Sequence, residues 1–308
     1  MEKKTVIRIL FLVIAGFTLT NWVSPPLALV AGILFVNVFG IPFNELSSYT
    51  KKILQYSVIG LGFGINLNEA AKAGSEGFTF TVFTIVLVLS LGLIIGKWLK
   101  IDKKISQLIS VGTAICGGSA IAAVSPVIQS KGSQNSIALG VVFVLNAVAL
   151  VIFPMIGNFF HLTQNQFGMW AAIAIHDTSS VVGAASKYGA EALKTATVVK
   201  LSRALWIIPV TLIFSFLTKT NEKVKFPYFI LWFVVAIVIN SVVGDQFAFP
   251  KTVSEISRMT LKTALFFIGA GLPLKELKKI GINPFLLGIL LWLIISAVSL
   301  FGIYQFVA

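Results

Sequence analysis

Charge is scarce in this chain of 308 residues: only 11% of it is Asp, Glu, Lys or Arg, against roughly 25% in an ordinary soluble domain. Cysteine is nearly absent. Cys116 stands alone, so neither an intrachain disulfide nor an intrachain thiolate metal cluster can form. Two histidines without an HExxH pattern exclude a zincin site. The sequence holds no Walker A motif, which argues against direct ATP coupling within the chain. A Gly-x-Ser-x-Gly elbow is missing too; the nearest sequence is Gly117-Gly118-Ser119-Ala120-Ile121. Gly/Ser linkers and low-complexity runs are lacking, and the loops between apolar runs are short.

What is present is apolar. Hydrophobic residues make up 57% of the chain, and the mean hydropathy is +0.95. A water-soluble globule of this size has too little interior to hide that much apolar surface. The composition excludes a soluble enzyme, a nucleic-acid-binding domain and a disordered protein, and indicates an all-α polytopic membrane protein. The net charge of +13 reads as basic residues collected in short loops beside apolar spans, not as a nucleic-acid surface.

A helix needs about 20 apolar residues to cross the hydrocarbon core. Apolar runs between polar breaks give eleven candidate spans: 6–23, 25–41, 50–67, 77–98, 105–128, 135–160, 167–186, 195–217, 227–246, 257–273 and 284–306. The fifth and seventh are the weakest, being rich in Gly, Ser, Thr and Ala. Lys3, Lys4 and Arg8 before an apolar run resemble a signal peptide, but the segment around Asn21-Trp22-Val23-Ser24-Pro25 is a poor cleavage site. We read 6–23 as a first span. With the N-terminus inside, the inner segments carry 15 basic residues and the outer ones 6. That bias predicts a cytoplasmic N-terminus, an external C-terminus and an odd number of crossings. The whole chain is expected to form a single transmembrane domain.

Two internal echoes stand out. Gly62-Phe-Gly-Ile-Asn-Leu-Asn-Glu69 returns as Gly269-Ala-Gly-Leu-Pro-Leu-Lys-Glu276, an offset of 207 that extends through Lys72/Lys279 and Gly74/Gly281. Residues 25–98 thus pair with 227–306 in opposite directions, the inverted-repeat construction of secondary transporters. Ala114-Ile-Cys-Gly-Gly-Ser119 also resembles Ala174-Ile-His-Asp-Thr-Ser179, at an offset of 60. Counting spans, these two run in the same direction. Either one of them is re-entrant, or the echo reflects only similar chemistry.

Both central segments, 105–128 and 167–186, are poor continuous helices. The pair Gly117-Gly118 weakens a helix by about 1 kcal/mol per residue relative to Ala, and Pro126 follows. A segment of this kind breaks mid-membrane where it is buried in protein or lines a wet cavity. Its new helix N-terminus then offers N–H groups and a positive dipole end to an anion. The alternative is close packing by small residues.

The stretch Gly112-Thr-Ala-Ile-Cys-Gly-Gly-Ser-Ala-Ile-Ala-Ala-Val-Ser-Pro-Val-Ile128, with Ile175-His-Asp-Thr-Ser-Ser-Val-Val-Gly183 and Ala196-Thr-Val-Val-Lys-Leu-Ser-Arg203, resembles the YeiH-like family of bacterial inner-membrane proteins, described as sulfate exporters. The resemblance covers nearly the whole chain. It implies a multi-spanning fold related to the cation/proton antiporter and bile-acid symporter group, and transport of sulfate or another small anion.

The candidate chemistry gathers on these motifs. Thr113, Cys116, Gly117, Gly118, Ser119, Thr178, Ser179, Ser180, Lys200 and Arg203 are the candidate substrate-binding residues. His176 and Asp177 are the candidates for ion coupling: ionisable groups at membrane depth are expensive and suggest function, and a carboxylate beside hydroxyls suits H⁺ or Na⁺. A helix through this segment would place His176, Ser179, Ser180 and Gly183 on one face. Lys200 and Arg203, at i and i+3, share a face. They either balance Asp177 or attract the anion, unless they snorkel to the surface. Cys116 also suits a plain packing role. Asn37, Asn66, Asn146 and Asn240 either line a pathway or bond across helices, the second reading being preferred, and Glu69 and Glu276 read as solvated span ends rather than ligands. No catalytic residue, cofactor or metal is assigned. The expected partners are a small-molecule anion, H⁺ or Na⁺ and membrane lipids, not nucleic acid, and a homodimer is compatible with that reading. A membrane-embedded enzyme using His176 and Asp177, or a channel, remains the alternative to a secondary transporter.

Overall fold

The computed structural model describes all residues except Met1, Asn21, Asn44, 219–227, 244–246, Leu272, 274–280 and Ala308. Several sequence readings lie outside the described residues: the basic residues Lys219, Lys223, Lys225, Lys275, Lys278 and Lys279, and the repeat positions Leu272, Leu274 and Glu276.

The described residues form helices and no strand. In chain order the helices are α1 (Glu2–Phe17), α2 (Pro25–Phe39), α3 (Leu46–Leu61), α4 (Leu67–Trp98), α5 (Lys103–Ala114), α6 (Gly118–Val127), α7 (Gly132–Phe159), α8 (Gln164–Ala174), α9 (Thr178–Tyr188), α10 (Ala190–Leu205), α11 (Ile207–Thr218), α12 (Tyr228–Val243), α13 (Phe249–Ala270) and α14 (Ile282–Phe306). A short 3₁₀ turn, Gly62–Gly64, follows α3. Four helical runs are long and apolar enough to cross a membrane: Leu67–Trp98, Gly132–Phe159, Ala190–Thr218 and Ile282–Phe306. Large apolar side chains lie exposed along them, among them Phe83, Val86, Ile94, Leu212, Ile213, Phe216 and Leu293. In water such surfaces would be an aggregation liability; against lipid tails they are in their proper solvent. These features are consistent with a multi-pass membrane protein.

The chain divides into two compact units. The first comprises 1–70 and 228–276. There α13 packs on α2 and α3, and α12 packs on α3 and the 3₁₀ turn. The two glycines matched at an offset of 207 make equivalent approaches. Gly62 lies so close to α12 that an added Cβ would sit 2.8 Å from the Phe233 carbonyl oxygen, and Gly269 lies closer still to the Leu29 carbonyl of α2. Only a residue without a side chain lets the backbones meet. Polar pairs fix the register: Ser57 Oγ to Thr260 Oγ1 at 2.8 Å and Thr18 Oγ1 to Thr263 Oγ1 at 2.9 Å. Lys262 Nζ donates to the Thr20 carbonyl at 2.5 Å, and Asn240 Nδ2 to the Ile65 carbonyl at 3.1 Å.

The second unit comprises 71–227 and 277–308. Here two of the eleven apolar stretches, 105–128 and 167–186, fold back on themselves. Helix α5 starts at the N-cap Asp102, whose carboxylate accepts from Lys104 N and Ile105 N. Helix α6 returns to that same end: Lys104 Nζ donates to the Gln129 carbonyl at 2.7 Å, and Gln134 Nε2 to Asp102 Oδ1 at 2.9 Å. Helix α8 starts from a capping box between Thr163 and Gln166. Helix α9 returns to it: Tyr188 OH donates to the Leu162 carbonyl at 2.6 Å, and its ring stacks on Phe167 with centroids 3.8 Å apart.

The two hairpin mouths lie at opposite ends of this unit. Helix α14, 25 residues and so about 37 Å long, runs from one to the other. At its start Asn283 Nδ2 donates to the Leu99 carbonyl, just before α5, at 3.1 Å. At its end the Val307 carbonyl accepts from Gln166 Nε2 of α8 at 2.7 Å. The α10–α11 run spans the same distance in reverse: Glu191 N donates to Gln164 Oε1 at 3.0 Å, and Thr218 Oγ1 to the Val127 carbonyl at 3.1 Å. The two echoing segments therefore run in opposite directions. Their apparent equal direction came from counting each as a full crossing.

Candidate functional site

The hairpin tips meet. Helix α5 ends at Ala114 and α8 at Ala174, then Ile115 and Ile175 leave the helical path. Helices α6 and α9 begin at Gly118 and Thr178, with Gly117 and Asp177 as their N-caps. Every one of these pairs is separated by 60 residues, so the sequence echo is an echo of helix boundaries, while the turns themselves differ: Ile115 has φ −120° and ψ −86°, Ile175 φ −87° and ψ 128°. Gly117 holds φ +63° and ψ −125°, a region that side chains rarely adopt. A Cβ there would lie 3.5 Å from Asp177 Cα and 3.1 Å from Val142 of α7.

Each break leaves unpaired carbonyls at a helix C-terminus and unpaired N–H groups at a helix N-terminus. Helix α10 supplies the partners for the carbonyls. Lys200, fully buried, donates from Nζ to the carbonyls of Ile175 at 2.7 Å, Ile115 at 3.1 Å and Ala172 at 3.2 Å. Arg203, also fully buried, donates to the Ala114 carbonyl from Nη2 and to Thr84 Oγ1 from Nη1 at 2.8 Å. Cations at helix C-termini meet the negative ends of the dipoles. Lys200 and Arg203 thus stay at depth instead of snorkelling, and their hydrogen bonds run to main-chain carbonyls and a hydroxyl, not to the Asp177 carboxylate.

The N-terminal ends are treated unequally. Asp177 caps α9: its Oδ2 accepts from Ser179 N at 3.1 Å and from the Ser179 hydroxyl. Asn146 of α7 supports the same turn, its Oδ1 accepting from His176 N at 3.1 Å and Asp177 N at 3.2 Å. At α6 the N-cap is Gly117, which brings no side chain. Gly118 is half-buried there and Ser119 exposed, whereas Thr178, Ser179 and Ser180 are buried.

All twelve candidate residues belong to the two tips or to α10 behind them. Thr113 and Cys116 are buried in the first tip. Lys200 binds both tips, and Arg203 the end of α5. One expectation needs correcting: His176 does not share a helical face with Ser179, Ser180 and Gly183, because it lies in the break before α9. His176 is fully buried. Two residues at the site were not among its candidates. Asn146, read as a pathway lining or a bond across helices, does bond across to the His176–Asp177 turn; as the only strongly polar residue between Ser136 and Pro154 of α7, its isolation was the available signal. Thr84 is one of several threonines in α4 and carried no signal.

The long apolar helices, with two opposed hairpins meeting around buried cations, define a class: helical membrane proteins with interrupted segments at their centre. The chain belongs to the family described as conserved hypothetical protein 698, which matches residues 4–288, and the YeiH-like resemblance of its central motifs is borne out. A UPF0324 membrane protein of Bacteroides thetaiotaomicron is 50% identical, covering 92% of this chain and 87% of its own. One from Porphyromonas gingivalis is 49% identical over 91% and 87%, and one from Geobacter sulfurreducens 40% identical over 94% of each. No solved structure matches the chain.

Proposed function

We propose that this protein is a secondary transporter of a small anion, such as a sulfate-like ion, a sulfonate or a small carboxylate, coupled to H⁺ or Na⁺. The observation that carries the reading is the meeting of two interrupted segments from opposite ends of one unit, with Lys200 holding the Ile115 and Ile175 carbonyls together. Discontinuous segments meeting at the midplane, with half-helix ends turned to substrate and coupling ion, are a recurring transporter construction. The resemblance to the cation/proton antiporter and bile-acid symporter group supports the same reading.

In this proposal the chain is one transmembrane domain of a bacterial inner membrane, with nine crossings and two re-entrant hairpins. Nine is odd, so the N-terminus stays inside and the C-terminus outside. Lys131, counted above as an outer residue, moves to the mouth shared with Lys104. The basic bias then sharpens to 16 inside against 5 outside. The test is uptake into proteoliposomes of labelled sulfate, sulfite, sulfonates and small carboxylates, with and without imposed H⁺ or Na⁺ gradients. Gradient-driven accumulation is the expected result. Chemical turnover without flux overturns it in favour of an enzyme, and ungated conductance in favour of a channel.

A further inference from the structure

The second tip keeps a donor unused. Asn146 spends its Oδ1 on the N–H groups of His176 and Asp177, which fixes the orientation of the amide. Its Nδ2 is then buried, in a side chain only 3% exposed, with no acceptor. A buried donor left without a partner is costly and calls for an explanation. The neighbouring tip presents the N-terminus of α6, ten residues long and without a side chain at its N-cap. Gly117 abuts Asp177, whose N–H the Asn146 amide already holds. Helix α7 therefore brings an unpartnered amide beside the Asp177 turn, next to the tip where α6 begins; there the Ala120 N–H is turned to the Cys116 thiol, and Gly118 and Ser119 lie at the partly exposed edge. A donor of this kind beside a positive dipole end fits an oxyanion.

The charges set a condition. Asp177 faces Cys116 from the first tip and Lys200 from α10; Arg203 lies one turn beyond Lys200, His176 precedes Asp177, and α7 presents Asn146. Lys200 and Arg203 are committed to the C-terminal carbonyls. An ionised Asp177 therefore already occupies the positive field at the two N-termini, and an incoming anion meets like charge within a low-dielectric site. A proton on Asp177 removes that repulsion. A metal cation in its place would face Lys200, Arg203 and the positive ends of α6 and α9.

We infer that the α6 N-terminus and the Asn146 amide form the seat of a small oxyanion, and that the anion is carried together with a proton on Asp177. This rests on the transport reading above, which it narrows to anion–proton cotransport with Asn146 as a substrate-binding residue.

The experiment is equilibrium binding of labelled sulfate, methanesulfonate and acetate to the purified full-length protein across a pH series. In the wild type, affinity for the preferred anion falls about tenfold per pH unit on the alkaline side, as expected when one proton enters with the ligand. Asp177→Asn, neutral at every pH, flattens that slope while binding persists. Asn146→Asp keeps the acceptor oxygen and removes the donor, and it weakens binding by about tenfold or more. Should Asn146→Asp fail to fold, Asn146→Ser, which retains an acceptor and lacks the amide donor, must show the same loss. Wild-type affinity in the folded Asn146 variant overturns the seat. An unchanged pH slope in Asp177→Asn overturns the proton, and no binding of any of the three anions overturns both. Parallel uptake assays separate the two readings. Binding with this pattern but no flux leaves the seat standing and removes the transporter; flux without this pattern does the reverse.

Discussion

The first hairpin turns through Ile115-Cys116-Gly117 and the second through Ile175-His176-Asp177, sixty residues later. Their helices are of matching length, 12 and 10 residues in one and 11 and 11 in the other, but the turns between them take different backbone conformations, Ile115 at ψ −86° against Ile175 at ψ 128°. Their chemistry differs at the N-cap. Gly117 sits at positive φ and brings no side chain to the α6 N-terminus, where the Cys116 thiol faces the Ala120 N–H, while Asp177, at φ −99°, fills the end of α9 with a carboxylate. Matching helices with unequal turns and caps teach that the tips divide two tasks. The C-termini are held alike, by the same lysine, which stabilises the crossing point. The N-termini are left different: that of α6 has no side chain at its cap, and that of α9 carries a carboxylate.

Several variants probe that difference. The largest effect is expected where the hairpins are alike. Lys200→Met strips the partner from the Ile115, Ala172 and Ile175 carbonyls. With each buried acceptor left unpaired costing about 1–3 kcal/mol, the loss is on the order of 3 kcal/mol or more. Thermal unfolding of the detergent-purified variant checks it, and an unchanged midpoint would show that the lysine is not a structural pin.

Gly117→Ala comes next. A Cβ at this φ and ψ is strained by about 1–3 kcal/mol and presses on Val142. The matched Asp177→Ala carries no such backbone strain, so melting curves of the two should separate on this point. Asp177→Asn should abolish gradient-driven flux yet shift stability little, because Asn caps a helix about as well as Asp. If Asp177 were instead the structural counter-ion of Lys200 or Arg203, its loss would destabilise by about 3–5 kcal/mol, and neutralising the cation would restore the midpoint.

The smallest effects distinguish the paired serines. Ser179→Ala removes a buried hydroxyl that donates to Asp177 and should cost about 1 kcal/mol. Ser119→Ala, at the exposed equivalent position, should stay within about 0.5 kcal/mol. Equal costs would mean that the two N-termini are not in different environments.

Much of this was legible in the sequence. Length of apolar runs marked α4, α7, α10–α11 and α14, because a lipid solvent demands long apolar helices. Gly117, Gly118 and the His176-Asp177 pair marked the breaks, since paired glycines and ionisable groups are costly inside a continuous span. The direction of the segments was not legible. A hairpin of two 11-residue helices and one crossing of similar length have the same composition, and only Tyr188 against Leu162 and Lys104 against Gln129 distinguish them. The partners of Lys200 were hidden for a related reason: main-chain carbonyls freed by a break leave no mark in the side-chain sequence. Asn146 shows the opposite case, where the polar residue was visible and its partner, a backbone turn 30 residues away, was not.

The central claim is that both interrupted segments double back and enter from opposite faces. Single cysteines test it most directly, on a Cys116→Ser background that removes the one native thiol, itself buried. Lys103→Cys, Lys131→Cys, Thr163→Cys and Lys187→Cys all lie at exposed positions and can be challenged with a membrane-impermeant maleimide in vesicles of known orientation. Lys103→Cys and Lys131→Cys should react from one side, and Thr163→Cys and Lys187→Cys from the other. Reaction of Lys103→Cys and Lys131→Cys from opposite sides would make residues 105–128 a full crossing and contradict the account.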